Sequence, residues 1–242
     1  MNNHSSKKFL GGRAVHIITR GLLAASAVLA VSGIAFAQDQ QDKQDREEEN
    51  TFNVLPHPTT PTAITPPQGN VLFLAGHGVG TQGYVCLPKG TGASWTVNNA
   101  RPEATLFASF FGEPVQIITH FLSPDTHPNE NAPKPVAFGN ATWQSSFDSS
   151  EVWAAATPET TIPAGSDPSC PNAGSIGCLL LQSIGTQKGP TGGKILAKTT
   201  FVQRLNTNGG SAPDTGCAVP GDVGHQTLVP YSADYFFFRA EN

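Results

Sequence analysis

The chain of 242 residues contains no G-x-S-x-G elbow, no H-E-x-x-H, no H-x-H pair and no C-x-x-C. Those absences remove the usual sequence signs of an α/β-hydrolase nucleophile, a zinc protease and a cysteine-based zinc site. Gly76, Gly78 and Gly80 alternate in GHGVG, but position 81 is threonine, so the G-x-G-x-x-G spacing of a dinucleotide loop is not met. A tight β-turn is expected there instead, and no cofactor. Beyond residue 36 no apolar run is long enough to cross a bilayer. No repeat of fixed period occurs, and glycines and prolines interrupt every stretch that might sustain a helical period. Basic charge is scarce too, with 14 Lys+Arg against 18 Asp+Glu.

What is present begins with an address. Lys7, Lys8, Arg13 and Arg20 precede an apolar run over residues 21–36 that ends in AFA at 35–37. A basic region, a short apolar region and a small-residue site form a secretory signal peptide, with cleavage expected after Ala37. Its removal lowers the basic count from 14 to 10 against 18 acidic residues, a net charge of −8. That balance excludes nucleic acid, whose phosphates require a basic face, and disfavours an anionic membrane surface. Residues 38–50, QDQQDKQDREEEN, hold no apolar side chain and read as an acidic disordered leader. Residues 51–70 are proline-rich and read as an extended lead-in, packed on the domain through Phe52, Val54 and Leu55. Residues 71–242 are enough for one core and too few for two.

Four cysteines in an exported chain imply two disulfides, for which three connectivities exist. Cys170 and Cys178 flank a short loop and are expected to pair locally, which leaves Cys86 with Cys217. No cysteine has a histidine at metal-ligand spacing, so a metal site is not expected.

The β-rich part is organised around residues 194–238. Positions 194–205 alternate imperfectly, and Asn208, Gly209 and Gly210 with Pro213 punctuate a turn. From 231 to 238 the alternation sets Tyr231, Ala233, Tyr235 and Phe237 on one face and Ser232, Asp234, Phe236 and Phe238 on the other. Further strand candidates lie at 71–75, 79–87, 95–97, 104–111, 115–122, 143–147, 151–156 and 178–183, with a helical turn as the alternative over 104–110. Residues 123–135 read as a polar loop. About ten short strands at close spacing predict an all-β domain, a single antiparallel sandwich or barrel.

Five histidines follow the signal segment. His57 lies in the lead-in, His77 and His225 in glycine-rich stretches, His127 in a proline loop, and His120 in the apolar run IITHF. His120 is therefore the pocket candidate, because histidine titrates near neutral pH and binds ligands. Trp143 and Tyr84 join it as aromatic candidates for a small-molecule or glycan cleft, with Trp143, Tyr231, Tyr235 and Phe237 also expected in the core. Asp234 is the fourth candidate, since a carboxylate in an aromatic strand needs a partner if buried. Arg204, on the neighbouring strand candidate, is its expected partner in a structural ion pair. Asn140 opens an N-A-T sequon, which matters only in a eukaryotic secretory pathway.

Three ordered motifs carry a family resemblance. GTQGYVC at 80–86, ATWQ at 141–144 followed by SSEV at 149–152, and QRLNTNGGSAPDTGC at 203–217 followed by VPYSADYFFF at 229–238 resemble a secreted family catalogued as domain of unknown function 3455. The resemblance spans residues 71–238 and implies no established activity. Two departures accompany it: SSEV stands where the family has an aspartate-glycine-serine sequence, and residues 167–178 read as an insertion holding Cys170 and Cys178. Two functions follow. One is an exported, non-catalytic, periplasmic or extracellular module binding a small molecule, glycan or envelope partner; the other is a secreted hydrolase-like enzyme using His120 with a nearby carboxylate.

Overall fold

The computed structural model describes residues 55–123 and 140–241. The expected signal segment, the acidic leader, Phe52, Val54 and most of the 123–135 loop, with His127, lie outside these residues. Among the described residues nine antiparallel strands form the domain: β1 (Asn70–Lys89), β2 (Gly92–Phe110), β3 (Glu113–Ser123), β4 (Asn140–Ser145), β5 (Glu151–Ala155), β6 (Thr161–Ile162), β7 (Cys178–Gln187), β8 (Thr199–Gly209) and β9 (Gln226–Ala240). The sheet runs β5-β4-β3-β2-β1-β9-β8-β7-β6, and β5 also pairs with β7. That pairing closes a ring of eight strands, each next to its sequence neighbour except where β1 meets β9, with the two-residue β6 hanging on β7. The domain is thus a closed up-and-down barrel, a size whose interior is filled by side chains or holds one small ligand. No helix among the described residues is long and apolar enough to cross a membrane.

Period-two alternation decides which residues enter the barrel. Tyr231, Ala233, Tyr235 and Phe237 pack inside with Leu74, Leu106, Ile118, Trp143, Val152, Leu181 and Val202. The opposite face of β9 is equally apolar: Phe236 and Phe238 pack outside with Ile64, Leu205 and the Cys170 and Cys178 sulfurs, joined by Leu55. The proline-rich lead-in covers this outer cluster, so β9 is buried on both faces. His57 sets its ring edge-on to Phe236 at 4.8 Å and donates Nε2–H to Gln203 Oε1 at 2.6 Å. Gln203, fully buried, donates its own Nε2 to the Ile64 carbonyl.

Several expectations change. GHGVG is not a turn but the middle of β1, and His77 lies in that strand rather than in a loop. Its three glycines share the inner face, and none has a positive φ. A Cβ at Gly78 would fall 2.8 Å from Tyr235 Cε2, and one at Gly80 only 1.9 Å from the Glu103 carbonyl oxygen. Close approach by a ring and by the β2 backbone is what requires glycine here. The alternatives over 104–110 resolve to strand, within one continuous β2. Residues 194–198 precede β8 rather than belong to it. Both expected disulfides are present, Cys86–Cys217 and Cys170–Cys178, with Cα separations of 5.5 and 5.9 Å.

Candidate functional site

Backbone pairing builds one row of residues across six strands on the inner face. Tyr231 on β9 opposes Gly80 on β1, which opposes Ala104 on β2, then His120 on β3, Trp143 on β4 and Val152 on β5. His120 and Trp143, directly opposite each other, stack with centroids 4.2 Å apart and planes within 5°. Both are enclosed, at 4% and 1% exposure. Tyr235 leans toward this pair, 5.8 Å from the His120 ring and 6.1 Å from Trp143, and its hydroxyl meets that of Tyr231 at 2.7 Å. Tyr84 donates its hydroxyl to the Gly210 carbonyl at 2.6 Å.

His120 donates Nδ1–H to the Thr142 carbonyl at 2.8 Å; a carbonyl can only accept, so the neutral ring carries its proton there and leaves Nε2 as an acceptor. Burial holds its pKa down at about 4, against the opposing pull of the Thr142 hydrogen bond. The ring is therefore neutral at physiological pH. Burial raises the phenols of Tyr84, Tyr231 and Tyr235, while a nearby positive charge, Arg204, pulls each of them the other way.

Arg204 is the residue that sequence reasoning misassigned. It opposes Tyr235, while Asp234 opposes Leu205. Because alternate residues face opposite sides of a sheet, Arg204 follows Val202 and Tyr235 inward and Asp234 points outward. The expected Arg204–Asp234 pair does not form. Arg204 instead donates Nη2 to the Gly177 carbonyl at 2.9 Å, and its buried Nε has no hydrogen-bond partner among the described residues. The indole Nε1 of Trp143 is likewise buried without one. No carboxylate pairs with Arg204 among the described residues.

Asp234 has other partners. Its Oδ1 lies 2.7 Å from His77 Nδ1 and its Oδ2 accepts from Asn206 Nδ2 at 2.8 Å. Thus the one described histidine–carboxylate pair sits on the outer wall, with the His77 side chain 49% exposed. No hydroxyl or thiol side chain bonds to His77 among the described residues. Of the four candidates, the structure brings His120, Trp143 and Tyr84 to the inner face and sets Asp234 on the other. The parity of 231–238 already separated Asp234 from Tyr235, and the parity of 202–205 would have placed Arg204 beside Val202, had that register been followed. Among the described residues no group of three or more His, Cys, Asp or Glu side chains could hold a metal ion.

The domain is a disulfide-stabilised, closed antiparallel barrel with an aromatic interior. The chain belongs to the family described as proteins of unknown function, DUF3455, whose model matches residues 67–239. Neither the curated proteins nor the solved structures yielded a match.

Proposed function

We propose that the chain is an exported, disulfide-stabilised, non-catalytic module that takes a small molecule into the barrel. The observation that carries this reading is the inner row Tyr231–His120–Trp143, polar aromatics enclosed at a place where a purely structural core would use aliphatic side chains. Enclosure supports a small molecule over a glycan chain or an envelope partner, each of which needs an open surface. The hydrolase alternative loses support for the same reason. A neutral histidine of pKa about 4, bonded to a backbone carbonyl and stacked on an indole, is a weak base, and Asp234 faces away from it.

The neutral fluorophore N-phenyl-1-naphthylamine tests the reading. Titrated into the mature protein, it should saturate at one per chain and take up energy from tryptophan. Replacing Tyr84 or Trp143 with phenylalanine should weaken it several-fold with the fold intact by circular dichroism. No saturable uptake, or uptake indifferent to both changes, rejects the interior as the site.

A further inference from the structure

We infer that the molecule this barrel takes carries an anionic group, a carboxylate or sulfonate on an aromatic body, and that Arg204 is the residue that pairs with it. The inference rests on the binding reading above and specifies its ligand class. A guanidinium presents five donors in a planar fork suited to an oxyanion, and it stays charged at any physiological pH. Here it faces the interior from β8, between Leu179 on β7 and Tyr235 on β9. The described chain supplies the Gly177 carbonyl and the Tyr235 hydroxyl but no carboxylate, and Nε has no partner. Arg204 is partly exposed, but its Nε is buried without a partner and no carboxylate among the described residues answers its charge, which marks a place for an external anion.

The surroundings fit such a ligand. The hydroxyls of Tyr231 and Tyr235 form a joined pair beside the guanidinium, and Tyr84 is close enough to sense its charge. The stacked His120 and Trp143 rings adjoin Tyr235, and the Trp143 indole N–H is a second buried donor without a partner. Guanidinium, phenols and indole together offer donors, with flat rings for an aromatic body. His120 is neutral and donates its Nδ1–H to the Thr142 carbonyl, so it contributes a flat ring and no charge. The one outer carboxylate near this stretch of strand, Asp234, is engaged by His77 and Asn206 on the far side of the sheet.

Two probes that share an aryl-naphthylamine body separate the inference from the reading beneath it. 8-Anilino-1-naphthalenesulfonate carries a sulfonate, and N-phenyl-1-naphthylamine carries none. The wild-type protein should bind the sulfonate at least ten-fold more tightly, with an advantage that shrinks in high salt. In Arg204→Gln the two probes should bind alike. In Arg204→Lys, which keeps the charge and loses the fork, a several-fold preference should remain, and this variant also serves if the glutamine protein does not fold. If both probes bind wild type equally, or Arg204→Gln keeps the sulfonate preference, the anion inference is wrong while the binding module stands. If neither probe binds, both fail together.

Discussion

His120 shows how one buried side chain makes the barrel sensitive to acid. Its folded pKa of about 4 lies below the ordinary histidine value of 6.5 because burial disfavours the charged ring. The unfolded chain therefore binds a proton that the native state refuses, and stability falls as pH drops from 6.5 toward 4. Above 6.5 the contribution is fully present; it is exhausted below the folded pKa. A shift of this size corresponds to about 3 kcal/mol. Unfolding free energies from urea titrations at pH 7.5 and 4.5 should differ by that order for the native protein, and the histidine share of the difference should vanish in His120→Phe, which keeps a flat ring against Trp143. Asp234 is held on the outer wall instead. Its partner His77 is half exposed on the outer wall, so Asp234→Asn should cost less than about 1 kcal/mol by chemical denaturation. A loss of several kcal/mol would mean that the His77–Asp234–Asn206 link fixes the outer wall more firmly than its exposure implies.

At the scale of strands, β1 and β9 form the seam on which the interior is built. Tyr235 fills the space that Gly78 leaves open, and the two positions should respond to substitution as a pair. Tyr235→Ala removes a fully buried ring and should cost about 3 kcal/mol or more. Gly78→Ala pushes a methyl into that ring and should cost about 1–3 kcal/mol. In the double variant the alanine methyl meets no ring, so its losses should sum to less than the two singles, as a double-mutant cycle will show. The alternation of β9 was readable in the sequence because each apolar face has one neighbour layer, the barrel interior or the lead-in. The same alternation in β1 was hidden: its inner residues are glycines, which carry no hydrophobic signal and imitate a turn. Proximity of strands alone suggests an Arg204–Asp234 pair. Register decides faces, and a displacement of one residue puts the two charges on opposite sides of the sheet. Closure of the barrel was invisible for a related reason, since β5 and β7 pair across a connection containing β6 and the Cys170–Cys178 loop, with no local pattern to announce it.

For the molecule as a whole, every strand of the ring meets its sequence neighbours except at β1 and β9, where the beginning and end of the domain must find each other. That contact is the one with the greatest loop-closure cost, and the Cys86–Cys217 bridge ties the far end of β1 to the segment leading into β9 across 131 residues. Chain entropy assigns this bridge about 5 kcal/mol and the eight-residue Cys170–Cys178 bridge about 2.6 kcal/mol. Cys86→Ala with Cys217→Ala should therefore lower stability roughly twice as far as Cys170→Ala with Cys178→Ala, read from urea unfolding of the two double variants under non-reducing conditions. Both sulfurs of the short bridge are fully buried in the outer cluster beside Leu205 and Phe236, so its loss also opens a cavity there. A short-bridge variant as unstable as the long-bridge one would place the stabilising role of the 167–178 loop in packing against β8 rather than in restraint of the unfolded chain. The same pair of variants reports on the interior: the long bridge holds the β9 side of the row that carries Tyr231, so its removal should loosen N-phenyl-1-naphthylamine binding, and removal of the short one should not.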